Sequence, residues 1–469
     1  MGEMGDWVTD EMASCDLGDK RLDDRQARLL RRLSAEPDLS IPAACKGLAE
    51  TMAAYRFFDN DRVSPERMLA PHAAATVERL KQWDRVLLVQ DTTELDFTGR
   101  DESSGLGPLN WAERVGLFDH SMLAFTAEGL CLGVVDADIW TRHGPPQKRK
   151  RKSKPIEQKE SMRWLKGYRQ ACEIAREAEG TLVIVVADRE GDIYELFVEA
   201  ERAAQGSGRA EWIVRACQDR SLPERRPNRP YTHEKLWEAV RGSPAVGIRT
   251  TRLPRRCGRP EREAKLEVRL KEVVLKAPFR KGRKLPDVAV RAVLASEVEA
   301  PEGEEPVEWM LLTSLAVCGF TDACTIIDSY LQRWQIEVYY RVLKGACCVE
   351  SLQLRSVDRL KRCIMLKKIV AWRALFVTHL SRVCPEAPCT VAFEDAEWKS
   401  AHVVGRGGPL PSEPPPLSAF VALAASFGGY LGRKGDGPPG PIRLCIGLQA
   451  VHHYATAWLA FGPEGSRDV

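Results

Sequence analysis

Four polar side chains stand close together in the stretch YLQRWQIEVYYRVLK: Tyr330, Arg333, Glu337 and Lys344, at successive spacings of three, four and seven residues. At about 100° per residue, the four positions fall within an arc of about 60° on a single helix. One carboxylate would then share a helical stripe with two cations and a phenol. Buried charges need partners, and an exposed helix face has no need to repeat polar residues at this spacing. The pattern therefore indicates a site that holds a metal ion beside a polyanion.

Two further acids each end an apolar run. RVLLVQD ends at Asp91 and TLVIVVAD ends at Asp188, and such runs predict buried strands. Taken alone, an acid at a strand end is usually a turn or cap residue. Two such acids, with Glu337 downstream, instead favour a trio of metal ligands.

The elements predicted around these acids follow one order. Residues 121–140 predict a hairpin, 157–178 a helix, 192–204 a second helix, and EWIVRA from Glu211 a further strand. Strand, hairpin, helix, strand, helix, strand is the arrangement of ribonuclease H. In that arrangement the first and fourth strands carry acids and a later helix supplies the third.

The predicted fold class is therefore α/β: a ribonuclease H-like mixed-sheet catalytic core with a β-rich insertion, plus helical N-terminal and C-terminal domains. The expected boundaries are 1–66 for the N-terminal domain, 67–380 for the core and 381–469 for the C-terminal domain. The insertion should span about 220–310, where stretches such as KLEVRLKEVVLK alternate polar and apolar residues.

A carboxylate trio suits two-metal phosphoryl transfer. Two divalent cations about 3.5–4 Å apart activate an attacking oxygen and stabilise a leaving oxygen. Mg²⁺ prefers oxygen ligands and keeps several waters, so few protein ligands suffice.

Composition limits the class of protein. The 469 residues are 44% hydrophobic and 29% charged, with a formal net charge of only +3, so a nucleic-acid partner must be argued from local clusters. The 14 cysteines form no C-x-x-C motif, which favours reduced thiols over zinc or disulfides. We found no signal peptide and no apolar run of membrane-spanning length, and expect a cytoplasmic protein of bacterial type, associated with the nucleoid and without a membrane partner.

Basic clusters supply the local argument for DNA. They are QKRKRKSK at 147–154, RTTRLPRRCGRPEREAK at 249–265 and FRKGRK at 279–284. Any one of them could be solvated surface, and the first also resembles a nuclear-localisation signal. Together they favour contacts with phosphates.

Both ends of the chain leave alternatives open. In the N-terminal region, Tyr55 and Arg56 in AYRFFDN suit either DNA contact or helix packing. In the C-terminal region, His452 and His453 could suggest a metal site, but a packed and a solvent-facing histidine are favoured.

Several motifs resemble those of the DDE transposases of insertion-sequence family four (the IS-four family), which includes the transposase of transposon Tn-five. The likeness covers nearly the whole chain, and the spacing of the tyrosine, arginine, glutamate and lysine matches the family pattern at every position. The other matching segments are LGDKRLDDR, AYRFFDN, QDTTELDFT, ADREGDIYELF, EWMLLTS, FGGYLGRKGDGPPGP and ATAW.

The resemblance implies roles for single residues. Asp91, Asp188 and Glu337 would be the catalytic acids and would hold two Mg²⁺ ions, with Mn²⁺ able to substitute. The implied DNA-binding residues are Tyr330, Arg333 and Lys344 on the phosphates of the transposon end, Trp309 stacked on a flipped base, and Arg215, Tyr55 and Arg56 as further contacts. Without the family, a core tryptophan explains Trp309 equally well.

The function implied is that of a cut-and-paste DNA transposase. It would nick the transposon end, form a hairpin on the opposite strand, open it, and join the 3′ ends to target DNA. The C-terminal domain would form a homodimer in a synaptic complex with double-stranded DNA. Two alternatives stay open: a non-cutting end-binding repressor or domesticated regulator, and a nuclease of the same fold that performs no strand transfer.

Overall fold

The computed structural model describes residues 6–99, 105–111, 113–144, 154–203, 208–226, 229–253 and 261–462. The chain divides into two compact units. The helical unit contains Met1–Leu80, Thr92–Pro146 and Gln335–Val469, and the sheet unit contains Lys81–Asp91 and Gln147–Trp334. Of the basic cluster at 147–154, only Lys154 is among the described residues. Residues 254–260 of the cluster at 249–265 also lie outside them.

Helices occupy both ends of the described chain and separate several strands. In chain order they are α1 (Trp7–Glu11), α2 (Lys20–Ala35), α3 (Ile41–Cys45), α4 (Leu48–Phe58), α5 (Pro65–Leu80), α6 (Met162–Glu177), α7 (Tyr194–Ala203), α8 (Leu236–Arg241), α9 (Phe320–Leu331), α10 (Trp334–Gly345), α11 (Val357–Val383), α12 (Asp395–Arg406), α13 (Leu417–Phe427) and α14 (Pro441–Phe461). Within the described ranges, none of these helices is both long and apolar enough to cross a membrane.

The strands are concentrated between the two helical ends. In chain order they are β1 (Arg85–Asp96), β2 (Gly107–Pro108), β3 (Val115–Thr126), β4 (Cys131–Trp140), β5 (Leu182–Ala187), β6 (Glu211–Arg215), β7 (Ser221–Arg226), β8 (Arg229–Lys235), β9 (Ala245–Leu253), β10 (Arg262–Leu275), β11 (Val288–Glu297) and β12 (Glu308–Thr313). The protein is thus a mixed α/β protein with helical N-terminal and C-terminal regions.

The sheet unit is built on a large mixed sheet. Its strands run in the order β1, β5, β6, β12, β11, β10, β9. The first three are parallel neighbours, and the remaining pairs are antiparallel. β5 is buried almost throughout, as expected for an apolar strand covered on both faces. The predicted insertion contains β7 to β11, with α8 as its helix.

The helical unit contains the predicted hairpin. β3 and β4 pair antiparallel, with Phe118 opposite Trp140 and Phe125 opposite Cys131. The connecting turn places Gly129 at φ 91°, a conformation that other residues adopt only at a cost. β3 begins at Val115, six residues before the start predicted from the sequence.

The central element of the helical unit is α11, a helix of 27 residues that is buried on every side along residues 363–372. It begins where the Ser356 side chain accepts a hydrogen bond from the Arg359 amide at 3.3 Å, the usual N-cap contact. Inside the unit, Lys368 donates to both carboxylate oxygens of Asp119 and to Ser121. Both charged side chains of this pair are fully buried, so the charge of each is stabilised by the other in place of water.

The predicted single helix through Tyr330, Arg333, Glu337 and Lys344 is wrong. α9 ends at Leu331 and α10 begins at Trp334. The amide of Arg333 donates to the carbonyl of Tyr330 at 3.0 Å, a tight turn between the two helices. The common stripe therefore holds only for Glu337 and Lys344, which are seven residues apart on α10.

Candidate functional site

Asp91 and Asp188 lie at the same edge of the mixed sheet. In the parallel pair β1 and β5, Val89 is opposite Val186. Two residues further on, Asp188 follows the end of β5 and Asp91 lies where the pairing of β1 with β5 has ended, and both side chains are half-buried. β1 itself continues to Asp96, five residues beyond the strand end predicted from the sequence. The parallel pairing still places the backbones of two acids 97 positions apart in the sequence near each other.

Asp188 is positioned by a short turn. Its carboxylate accepts a hydrogen bond from the Glu190 amide at 2.7 Å and caps the 3₁₀ turn Arg189–Gly191. A Cβ at Gly191 would lie 2.5 Å from the Cβ of Ala187, so only glycine lets the turn fold back against β5. One face of the carboxylate is thus engaged with the backbone.

A buried ion pair holds the end of this turn, and sequence reasoning missed it. The Asp192 carboxylate accepts hydrogen bonds from the amides of Cys217 and Gln218, each at 2.8 Å. Arg220 donates to Asp192 through Nε at 3.1 Å and also through Nη2, and the two side chains are 7% and 0% exposed. The pair ties the segment after β6 to the turn that carries Asp188. Asp192 could have been noticed as a second acid in ADREGD, but Arg220 has no local signal.

Arg333 contacts Asp91 directly. Its Nη1 donates to Oδ2 at 2.9 Å, and the side chains are 14% and 16% exposed. A charge-assisted hydrogen bond in such a sheltered place is strong. It stabilises the ionised carboxylate and puts a guanidinium at the edge where the two acids lie, a position from which it could also meet a phosphate.

Trp309 and Tyr330 pack against each other in the interior of the sheet unit. Their ring centroids are 6.1 Å apart at an interplanar angle of 58°, and each residue is only 6% exposed. Trp309 lies on β12 opposite Ala295 of β11. In this conformation both aromatic side chains belong to the core, so a stacking role for Trp309 requires the ring to become accessible when DNA binds.

Arg215 is half-buried at the end of β6. Its Nη2 donates to the carbonyl of Glu308 at 3.1 Å, and its backbone lies opposite Leu311 of β12. One end of its guanidinium therefore secures the neighbouring strand.

Glu337 and Lys344 belong to the helical unit. Glu337 is half-buried in the first turn of α10. Lys344 donates to the carbonyl of Glu94 and lies 3.5 Å from the carboxylate of Glu350, which itself accepts from the amide of Asp96 at 2.9 Å. Lys344 thus ties α10 to the final residues of β1.

Tyr55 and Arg56 are adjacent on α4 but have different surroundings. The guanidinium of Arg359 lies 5.2 Å from the centre of the Tyr55 ring, and Arg359 also pairs with Asp59. Arg56 is exposed, and its Nε donates to the carbonyl of Met52 at 3.3 Å. Tyr55 is therefore partly a packing residue, whereas Arg56 is open to a partner.

No three histidine, cysteine, aspartate or glutamate side chains in the described ranges lie close enough to hold a metal ion. This includes His452 and His453, where His453 instead contacts Glu36 at 2.7 Å. The register of β1 and β5 places the backbones of Asp91 and Asp188 near each other at the sheet edge. Oxygen ligands of this kind match the preference of Mg²⁺.

Comparison with known proteins identifies the class. Residues 4–63 match the family model described as transposase DNA-binding, and residues 369–459 match the model described as the transposase Tn5 dimerisation domain. The chain is a DNA transposase with DNA-binding and dimerisation domains. Its two matched regions are those of a Tn5-type transposase.

One solved structure is also similar, the cryo-EM structure of a piggyBac transposase synaptic complex with hairpin DNA. It is 11% identical, with a TM-score of 0.34, over 80% of this chain and 72% of that one. This similarity is too low to show a shared fold.

Proposed function

We propose that this transposase excises DNA by cleaving at transposon ends and joins the released 3′ ends to target DNA, with Asp91, Asp188 and Glu337 as its catalytic acids. The observation that carries the proposal is the register of β1 and β5, which brings Asp91 and Asp188 to one sheet edge. The two matched family models support the same reaction class, since transposases cleave and transfer DNA strands.

The order of the strands supports a ribonuclease H-like core. β1, β5 and β6 are parallel neighbours, β3 lies beside β1, and β4 pairs with β3. This arrangement is compatible with the order of elements along the chain that the sequence predicts. We propose domains at 1–66 for DNA binding, 67–380 for the core and 381–469 for dimerisation, close to the two matched ranges.

The carboxylates suit Mg²⁺ as cofactor, with Mn²⁺ as a substitute. Asp91 and Asp188 offer oxygen ligands at one edge, and Glu337 would be the third. When bound, two such ions would supply activation of the attacking oxygen and stabilisation of the leaving oxygen. Arg333 already neutralises part of the charge on Asp91, so metal binding at Asp91 would compete with this contact.

The reaction is a series of in-line displacements at phosphorus. Water attacks one strand at the transposon boundary and releases a 3′ hydroxyl. That hydroxyl attacks the opposite strand to form a hairpin, a second water opens the hairpin, and the freed 3′ hydroxyl attacks target DNA. The same acids can serve every step because only the nucleophile and the leaving oxygen change.

The protein's main contribution is positioning and charge neutralisation. We propose that Tyr330, Arg333 and Lys344 hold the phosphates of the transposon end and that Trp309 stacks on a flipped base during hairpin formation. The remaining proposed DNA contacts are Arg215, Tyr55 and Arg56. A homodimer formed through the C-terminal region would bring two ends together in a synaptic complex.

A cleavage assay tests the proposal. The substrate is duplex DNA that carries the inverted repeats flanking the gene, incubated with Mg²⁺ and either wild type, Glu337→Ala or Asp188→Asn. Asp188→Asn keeps an oxygen that can accept from the Glu190 amide, so it removes the charge while preserving the turn. We expect hairpin-ended products from wild type and none from either variant, with end binding retained within a few fold.

Two outcomes would contradict the proposal. If wild type binds the ends without any product, the protein is an end-binding regulator. If it cleaves but never joins ends to target DNA, it is a nuclease of the same fold.

A further inference from the structure

The loop between β10 and β11 holds a phenylalanine in solvent. Phe279 is 91% exposed, whereas Leu285 in the same loop is only 5% exposed and packs inward. Exposing a large aromatic side chain forgoes the free energy of its burial. Isolated exposed apolar residues are common, so the surroundings of Phe279 decide whether its exposure has a use.

The loop is firmly braced at its base. The hydroxyl oxygen of Tyr194 lies 2.9 Å from the carbonyl oxygen of Leu275 and 2.8 Å from that of Pro286, so its single proton is shared between the two ends of the loop. The Asp287 carboxylate accepts from the Ala277 amide at 2.7 Å. These contacts hold the two ends of the loop that carries Phe279.

The tip of the loop is also ordered. Arg280 donates through Nε to Glu195 at 2.7 Å, and the Arg283 amide donates to the carbonyl of Arg280 at 3.2 Å. Gly282 stands in this turn at φ 73°, where glycine is favoured. Phe279 is therefore followed directly by an anchored arginine and a tight turn.

The loop is strongly basic. From Lys276 to Lys284 it contains five lysines and arginines and no acid. Lys281, Arg283 and Lys284 are exposed, and the contact of Arg283 with Glu157 is long, at 3.6 Å between exposed side chains. Such a surface attracts a polyanion and repels a second copy of itself.

We propose that this loop is a DNA-binding element in which the basic side chains contact phosphates and Phe279 stacks on a base that has left, or is leaving, the helical stack. Aromatic side chains stack on any base without sequence preference, and apolar wedges inserted at a base step are stabilised by basic neighbours on the backbone. The proposal adds a contact in the insertion, apart from the residues assigned to the transposon end.

Binding measurements without Mg²⁺ test this proposal independently of cleavage. Fluorescence anisotropy would compare the full-length wild type with Phe279→Ala and Phe279→Trp on two duplexes of unrelated sequence, one fully paired and one with a single unpaired base. A third duplex with the inverted repeats shows whether the contact extends to the transposon end. The matched control is Val298→Ala, an exposed aliphatic residue in the same unit, 46% exposed and flanked by Glu297 and Glu299.

We expect Phe279→Ala to weaken binding to the duplex with the unpaired base about tenfold, and binding to the paired duplex less, since stacking on one base is worth about 1–3 kcal/mol. Phe279→Trp and Val298→Ala should bind like wild type. Replacing Lys281 and Lys284 with glutamine should reduce the slope of log affinity against log salt by about one for each phosphate that the protein no longer neutralises.

Three results would overturn the proposal. They are unchanged affinity of Phe279→Ala on all three duplexes, a loss that is equal on the paired and unpaired duplexes, or unchanged DNA binding together with a loss of self-association in sedimentation. The last result would show that Phe279 contacts a second copy of the chain. Because Phe279 is almost fully exposed, its replacement should leave the melting temperature unchanged. Measuring the melting temperature therefore checks that each variant is folded.

Discussion

The guanidinium of Arg333 and the carboxylate of Asp91 meet at 2.9 Å although 242 residues separate them in the chain. The contact joins a residue assigned to DNA phosphates with a residue assigned to a metal ion. A guanidinium and a metal ion would neutralise the same carboxylate of Asp91, so metal binding should weaken this contact. We therefore expect Arg333 to move from Asp91 towards a DNA phosphate when metal and DNA bind.

Replacing Arg333 tests this exchange. In Arg333→Gln we expect Mg²⁺ to bind the full-length protein about fivefold more tightly, because the competing cation is gone, and transposon-end DNA to bind about tenfold more weakly. Calorimetric titration of Mg²⁺ and anisotropy with end DNA measure the two effects. Arg169→Gln is the control, since Arg169 lies outside the basic clusters and pairs with Glu199 in the same unit at 2.5 Å. Parallel weakening of both ligands would show that Arg333 only supports the fold.

Breaking the buried pair of Asp192 and Arg220 should lower both the stability of the protein and its rate of DNA cleavage. Arg220→Met should destabilise the protein by about 3–5 kcal/mol, because Asp192 keeps its charge and loses its partner. The turn that carries Asp188 should loosen, so the rate of cleavage should fall more than DNA affinity does. Urea unfolding and the cleavage assay measure this. Arg169→Met, which breaks the exposed pair with Glu199, should cost less than about 1 kcal/mol, and an equal cost in both variants would contradict the prediction.

Trp309 should have two separable effects. Because it is buried against Tyr330, Trp309→Ala should destabilise the protein by about 3–5 kcal/mol. Under conditions where the variant is still folded, it should make the first nick but give little hairpin, whereas Trp309→Phe should retain most of both. Gel analysis of the products resolves the two steps. Trp212→Phe, which changes another buried tryptophan in the same unit, controls for packing, and a normal hairpin yield in Trp309→Ala would exclude the stacking role.

His379 predicts a dependence of stability on pH. It is 5% exposed on α11, its Nδ1 has no hydrogen-bond partner among the residues that the structure describes, and burial lowers its pKa from 6.5 to about 4. Between these two values the unfolded chain binds more protons at this site than the folded chain. Stability that is present above pH 6.5 is therefore lost as the pH falls towards 4.

Replacing His379 isolates its contribution to the pH dependence of stability. Because carboxylates titrate in the same range, the measured quantity is the difference between His379→Leu and wild type in the free energy of unfolding. Between pH 7 and pH 4.5 wild type should lose about 2–3 kcal/mol more than the variant. Exposed His143→Leu should follow wild type, and identical curves for all three proteins would contradict the assignment.

Local patterns predicted much of the architecture. The apolar runs ending at Asp91 and Asp188 lie in and beside β1 and β5, and the predicted hairpin is present in β3 and β4, because buried strands and turns depend mainly on neighbouring residues. The boundaries were less accurate, since β1 continues to Asp96 and β3 begins at Val115. The predicted transposase family is confirmed by the matched DNA-binding and dimerisation models. The roles of the individual site residues stay predictions.

Only the tertiary structure decided how several of these residues are used. The segment between Tyr330 and Glu337 contains neither glycine nor proline, so local signals favour one continuous helix, yet the chain turns at Arg333 and its side chain reaches Asp91. The pairs of Asp192 with Arg220 and Lys368 with Asp119 were likewise invisible. The sequence by itself determined which residue types were available and which strands carry them. Their partners were decided by the path of the chain, because a buried charge is stabilised by whichever group the fold brings beside it.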